Sequence, residues 1–137
     1  MAQAGVTVLI VDDDQGHSEL VRRNLRRSGV SYELEWIPNG AQALDYVSQR
    51  GAHASRQLRA NLLLLLDINM PGDIDGLEVL RRLKSDPNTR AIPIVMLTTT
   101  DDPREIDRCY ELGCNAYVTK PIESAAFTEA IHRIGLW

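Results

Sequence analysis

Five short runs of apolar, largely branched residues recur along this chain, and each is followed by a stretch with helical spacing. Residues 6–11, 62–66, 92–97 and 116–118 are nearly all apolar, as strands covered on both faces must be. Residues 32–37 differ, because Tyr32, Leu34 and Trp36 alternate with Glu33 and Glu35. That period of two marks a strand with one wetter face, as expected at a sheet edge. Strand then helix, five times over, predicts an α/β fold: a parallel sheet with helices on both faces and right-handed crossovers.

The helical stretches carry their own punctuation. The first spans about 14–28, with Leu20, Val21 and Leu25 inward and Gly29 as its stop. The second starts at Asn39, buries Ala43, Leu44 and Val47, and ends near Gly51. The third opens with Asp75-Gly-Leu-Glu78, a capping-box spacing, and buries Val79, Leu80 and Leu83. In the fourth, Asp102-Pro103-Arg104-Glu105 places proline at the first helical position, the inward stripe is Ile106, Cys109 and Tyr110, and Gly113 ends it. The fifth carries Phe127, Ala130, Ile131 and Ile134. Residues 51–61 form a surface connection longer than average.

A length of 137 residues fits one domain, large enough to bury a core without staples. The formal net charge of −4 gives no basic footprint for nucleic acid. Arg22, Arg23, Arg26 and Arg27 cluster, but on a helical pattern shared with apolar positions, so a solvated helix face is the better reading. The two cysteines, Cys109 and Cys114, match neither a disulfide framework nor a metal-ligand spacing and fit a reduced protein. The amino terminus lacks a basic lead-in to an apolar stretch, and no run is long enough to cross a bilayer. A cytoplasmic location without membrane contact is the expectation.

In an open parallel sheet, ligands bind beyond the carboxyl ends of the strands. The first run ends in Asp12, Asp13 and Asp14, the third in Asp67, the fourth in Thr98, Thr99 and Thr100, and the fifth in Lys120-Pro121. Taken singly, an aspartate after a strand is more often a cap or turn former, and Asp14 suits that role. Taken together, several carboxylates, a hydroxyl and an ammonium converge on one rim. Neighbouring carboxylates resist joint ionisation unless a cation sits between them. Mg²⁺ suits such a site, because it takes oxygen ligands and keeps several waters.

These residues also form a familiar series. Val11-Asp12-Asp13, Leu65-Leu66-Asp67-Ile68-Asn69-Met70-Pro71, Leu97-Thr98-Thr99 and Val118-Thr119-Lys120-Pro121 resemble, in order and spacing, the receiver domains of bacterial two-component systems. The resemblance covers essentially the whole chain, so residues 1–137 are expected to be a single receiver domain with no output domain. It implies a flavodoxin-like sheet of strand order 2-1-3-4-5. It also implies a switch rather than a conventional enzyme, catalysing its own phosphorylation and dephosphorylation.

Carried over by position, Asp67 resembles the phosphoryl acceptor. Asp13 matches the direct Mg²⁺ ligand, Asp12 its water-mediated partner, and the Asn69 backbone carbonyl a further ligand. Thr98 resembles the hydroxyl that meets the phosphoryl oxygen, and Lys120 the cation that pairs with it. Tyr117 stands at the aromatic switch position, although packing in the core accounts for it equally well. Asn69 and Thr100 stand where receivers tune the lifetime of the phosphate. Pro121 follows Lys120 as in the family, where that peptide bond is usually cis.

The resemblance implies a sensor histidine kinase as phosphodonor and a downstream protein target or phosphotransfer protein. Lys84-Ser85-Asp86-Pro87, Ile92-Pro93-Ile94-Val95 and Cys114-Asn115-Ala116-Tyr117 look like the stand-alone receivers that serve phytochrome-type kinases. Such receivers often form homodimers. The apolar ending Gly135-Leu136-Trp137 fits folding back on the domain, a dimer seam or a truncated chain.

A phosphohydrolase of the haloacid dehalogenase type is the principal rival. It also uses an aspartate, a threonine and a lysine on successive strand ends, and Asp12-x-Asp14 imitates its nucleophile motif. That family expects a further acidic pair after the lysine, where this chain offers Glu123 and Glu129. It also leaves Asp67 without a role. A receiver that binds partners without being phosphorylated is the second rival, and the complete set of motif residues argues against it.

Overall fold

The computed structural model describes residues 6–28, 32–48, 62–70, 72–99, 102–120 and 124–134. Strands and helices alternate throughout: β1 (Val6–Val11), α1 (Gln15–Ser28), β2 (Tyr32–Ile37), α2 (Gly40–Ser48), β3 (Leu62–Asp67), α3 (Gly76–Ser85), β4 (Ile94–Thr98), α4 (Pro103–Glu111), β5 (Ala116–Thr119) and α5 (Ser124–Ile134). All pairings are parallel, in the order β2-β1-β3-β4-β5. This is the doubly wound sheet that the alternation predicts and the strand order that the resemblance implies.

Alternate residues of each inner strand feed two separate cores. Val8, Ile10, Leu63, Leu65, Val95 and Leu97 pack with Val21 and Leu25 of α1 and with Phe127, Ala130 and Ile131 of α5. Leu9, Val11, Leu64, Leu66, Ile94 and Met96 pack with α2, with Val79, Leu80 and Leu83 of α3, and with Cys109 of α4. All six residues of β3 are buried, and each fully buried leucine contributes about 2 kcal/mol. That double coverage explains why the strand sequences are continuous rather than alternating.

Caps fix where the helices begin. Asp14 accepts from Gly16 N at 2.8 Å, and Asn39 from Gln42 N at 2.9 Å, so both residues stand just outside their helices. Asp75 accepts from Glu78 N at 2.9 Å, but the reciprocal half of a capping box is replaced: the Glu78 carboxylate pairs with Arg81 and Arg82. Asp102 caps α4, with Pro103 at its first position. Gly113, at φ +104°, closes that helix; its N–H reaches Tyr110 O and the Cys114 N–H reaches Cys109 O, as in a Schellman motif.

Several expectations need correction. Tyr110 is 42% exposed rather than inward. Cys109 centres the inner face of α4; Ile106 and Leu112 flank it at about 60° on either side, whereas Tyr110 lies about 100° round the axis. β4 starts at Ile94 rather than residue 92, because Pro93 has no N–H for the ladder and contributes only its carbonyl, to Leu64 N. Leu20 and Ile134 are half-buried, and Tyr46, buried to 2%, joins the α2 core unforeseen. Gly29, the Gly51 helix end, the 51–61 connection and Gly135-Leu136-Trp137 lie outside the described residues.

Candidate functional site

Register brings the polar strand ends to one edge of the sheet. Val11 pairs with Leu66 and Asp67 with Leu97, so Asp12 and Asp67 leave adjacent strands side by side. Thr98 follows on β4, opposite Thr119 of β5, and the next residue, Lys120, donates its main-chain N–H to Thr98 O at 2.6 Å. Carboxylate oxygens of Asp12, Asp13 and Asp67 all lie within 4.8 Å of one another. Asp12 and Asp67 are buried at 0% and 5% exposure, while Asp13 is open to solvent.

Asp12 is held from several sides. Its Oδ1 accepts from Asp14 N at 2.8 Å, and its Oδ2 from Lys120 Nζ at 2.8 Å. Its main chain is tied to β2: Asp12 N donates to Ile37 O at 3.1 Å, and Trp36 Nε1 donates to Asp12 O at 2.7 Å. Trp36, assigned by alternation to the apolar face of β2, is 38% exposed; it stands at the rim, with its indole N–H on the site.

Asp67 Oδ1 accepts from Asn69 N at 3.3 Å and lies 3.5 Å from Lys120 Nζ. Burial pushes the Asp67 carboxyl above its ordinary value, and the negative charge of Asp12 adds to that rise. Lys120 and the Asn69 N–H pull in the other direction without cancelling it. A buried carboxylate whose ionisation is opposed by a neighbouring negative charge is one that a cation would relieve. The all-oxygen donor set, partly buried and partly open to water, fits Mg²⁺.

Backbone geometry places Asp67. Gly76 opens α3 directly over the end of β3, and its N–H donates to Ile68 O at 3.0 Å. A Cβ at this position would run into the Asp67 carbonyl oxygen and approach Ile68 Cα to 2.7 Å. Only glycine lets the helix start this close to the strand end.

The remaining candidates are spread around this centre. Asn69 and Thr99 are exposed, and Thr98 is fully buried. Tyr117 is half-buried against the core beneath α2, α3 and α4. Asp14 lies off the cluster as the cap of α1. Thr100 and Pro121, and with it the Lys120–Pro121 peptide bond, lie outside the described residues. The thiols of Cys109 and Cys114 are free and buried, and burial pushes them up to about 11 and about 12, which suits inert core positions.

His17 was not foreseen. It sits in the first turn of α1, where its Nδ1 comes within 2.8 Å of Asp12 Oδ2 and 2.8 Å of Lys120 Nζ. The available signal was its place one turn into the helix that follows the acidic run, where a side chain can lean back over the strand ends.

Comparison with known proteins agrees with this geometry. Residues 8–132 match the response regulator receiver domain family. The chain is 37% identical over 113 residues to the response regulator Rcp1 of Synechocystis, covering 82% of this chain and 75% of that protein. The crystal structure of the Mn²⁺-bound form of Rcp1 superposes with a TM-score of 0.79 at 32% identity, covering 96% of this chain and 94% of that one. The bacteriophytochrome response regulator RtBRR gives a TM-score of 0.85 at 39% identity, over 97% of this chain and 80% of that one. The phosphorylated cyanobacterial phytochrome response regulator RcpA gives 0.78 at 32%, over 97% and 91%.

Proposed function

This chain belongs to the response regulator receiver family, and on that footing we propose that it is a phosphorylation switch whose acceptor is Asp67. The observation that carries the reading is the cluster itself: three carboxylates within 4.8 Å, with Lys120 Nζ 3.5 Å from the acceptor. Receiver domains use Mg²⁺ at their acidic site. Here Asp13, Asp67 and the Asn69 carbonyl would hold it directly, and Asp12 through water. When bound, Mg²⁺ supplies positive charge that offsets the phosphoryl oxygens and orients them for in-line transfer.

The work left to the protein is positioning and charge. Asn69 N and Lys120 engage Asp67 Oδ1, which directs attack through Oδ2. The new O–P bond forms as the P–N bond of a phosphohistidine breaks, and the departing imidazole nitrogen recovers a proton. Lys120 offsets charge on the phosphoryl oxygens, and the Thr98 hydroxyl donates a directed hydrogen bond. Water then hydrolyses the acyl phosphate and resets the switch.

Phosphorylation biases two pre-existing states by as much as it favours one of them. We assign the output to the surface of α4, β5 and α5, reached through Thr98 and Tyr117, and the tuning of phosphate lifetime to Asn69 and Thr100. The phytochrome response regulators among the relatives support a phytochrome-type histidine kinase as donor. A protein target or phosphotransfer protein would read the output, with a homodimer as one form of it. Such a circuit operates in the cytoplasm, and no helix among the described residues is long and apolar enough to cross a membrane. The phosphohydrolase alternative gives no role to Asp67, the carboxylate at the heart of the cluster.

Intact-protein mass after incubation with acetyl phosphate, with and without Mg²⁺, tests this reading on wild type and Asp67→Asn. One phosphoryl adduct that needs Mg²⁺ and vanishes in Asp67→Asn is the expected result. Failure to gain mass, together with failure to bind beryllofluoride, would overturn it; catalytic turnover of a phosphomonoester would favour the hydrolase.

A further inference from the structure

His17 has no part in the chemistry set out above, yet its ring touches both members of the Asp12–Lys120 ion pair. Nδ1 lies 2.8 Å from Asp12 Oδ2 and 2.8 Å from Lys120 Nζ, and Lys120 Nζ lies 2.8 Å from that same Asp12 oxygen. An imidazole nitrogen has one in-plane position, holding either a hydrogen or a lone pair. With a hydrogen there, Nδ1 donates to Asp12 and opposes the ammonium. With a lone pair, it accepts from Lys120 and opposes the carboxylate. Two of the three contacts can be hydrogen bonds at once, but not all three.

Phosphorylation would break the deadlock in one direction. Lys120 rests against Asp12 and stands 3.5 Å from Asp67 Oδ1, so closing up on a phosphoryl group there would draw it away from Asp12. Asp12 is fully buried, and its Oδ1 is already taken by the Asp14 N–H. Removing the ammonium would strip Oδ2 of its strongest donor, which is costly for a buried carboxylate. His17 is already in place to supply another. Its main-chain N–H is tied to Asp14 O at 3.1 Å, and its Nε2 stands 3.6 Å from Asp14 Oδ2.

We propose that His17 and Lys120 exchange on Asp12: Lys120 holds Asp12 Oδ2 in the resting state, and the His17 Nδ1–H takes that oxygen over as Lys120 turns to the phosphoryl group on Asp67. This rests on the phosphoacceptor reading above. His17 is then a positioning residue, acting through Asp12 and Lys120 without touching phosphorus. Hydrogen bonds are swapped and no covalent bond changes.

The test is calorimetric titration of the full chain with beryllofluoride in Mg²⁺, for wild type, His17→Ala and His17→Asn. Asparagine places an amide N–H close to where Nδ1–H stands. His17→Ala should weaken beryllofluoride binding about tenfold, the worth of one hydrogen bond to a charged group, while His17→Asn recovers to within about threefold and Mg²⁺ binding alone stays within about twofold in both. Equal loss of Mg²⁺ and beryllofluoride binding would reduce His17 to a structural prop and overturn the exchange. Unchanged or tighter beryllofluoride binding in His17→Ala would also overturn it, the latter by showing that His17 holds Lys120 back. Two-bond ¹H–¹⁵N spectra, assigned by the signal lost in His17→Ala, should place the ring proton on Nδ1 in the beryllofluoride complex; a proton on Nε2 alone refutes the exchange. If wild type neither binds beryllofluoride nor gains mass from acetyl phosphate, the phosphoacceptor reading itself falls, and the exchange with it; phosphorylation without beryllofluoride binding would overturn the exchange alone.

Discussion

Lys120 Nζ stands 2.8 Å from Asp12 Oδ2 and 3.5 Å from Asp67 Oδ1, so the lysine leans on Asp12 rather than on Asp67. Both partners of the shorter contact are buried, with side-chain exposures of 6% and 0%. Lys120→Met should therefore cost about 3 kcal/mol of stability in chelator, because it removes the ammonium from a buried carboxylate and leaves only neutral donors in its place. Urea denaturation measures the loss. Much of it should return in Lys120→Met/Asp12→Leu, and a double variant no more stable than the single would contradict this account.

Gly76 and Gly72 offer a matched pair. Gly76→Ala would force the start of α3 away from Asp67 and Ile68, for about 2–3 kcal/mol by overpacking, and on the proposed function it should slow phosphorylation because Asp67 shifts. Gly72, at φ +100°, has nothing within 4 Å of an added Cβ, so Gly72→Ala should cost about 1–2 kcal/mol of backbone strain alone. Phosphoryl uptake should be left intact there. Similar uptake rates in the two variants would refute the placement argument.

The raised pKa of Asp67 sets the sign of a pH effect. As pH rises past the ordinary value of 3.8, the unfolded chain releases its proton before the folded one, so the folded state loses stability until Asp67 itself ionises. Above that window the penalty is constant. In chelator at pH 7, Asp67→Asn should melt a few degrees above wild type, and the gap should close on acidification below about 3.8. Thermal melts across that range decide it; a less stable Asp67→Asn at pH 7 would reverse the assigned sign.

Trp36 should report cation binding, since its indole N–H is bonded at 2.7 Å to the main chain of Asp12 and its ring is 38% exposed. In a Trp137→Phe background, Mg²⁺ should change the emission saturably. Trp36→Phe should abolish the signal while calorimetry still detects binding, at about 1 kcal/mol of stability lost with the hydrogen bond. A flat titration in the presence of calorimetric binding would show that Asp12 does not move with the ion.

The central strands were legible because burial on both faces demands uninterrupted apolar runs, and Leu62 to Leu66 permits little else. Helix starts were legible where a cap is a single residue type at a fixed offset, as with Asp75 and Asp102. What escaped depends on where an element sits, not on its own spacing. Tyr110 fits an apolar stripe until the inner face is seen to centre on Cys109. Trp36 alternates correctly but lies at the rim, beyond the helices that cover Tyr32 and Leu34. The acids and the lysine could be found at strand ends one by one. His17 left only a positional hint, because its role exists only once the folded sheet brings Lys120, beyond the end of β5, onto the Asp12 oxygen beyond the end of β1.

The acidic cluster draws on strands that are adjacent in the sheet but remote along the chain, so it exists only when β1 and β3 are zipped together. An unfolded chain offers no equivalent set of oxygens. Any cation that binds there is therefore a ligand of the folded state alone, and its concentration becomes a thermodynamic lever on the whole domain. At a hundredfold excess over its dissociation constant, it would add about 2.7 kcal/mol to the unfolding free energy. A melting curve that climbs with the logarithm of cation concentration would thus reveal occupancy before any phosphoryl chemistry has taken place.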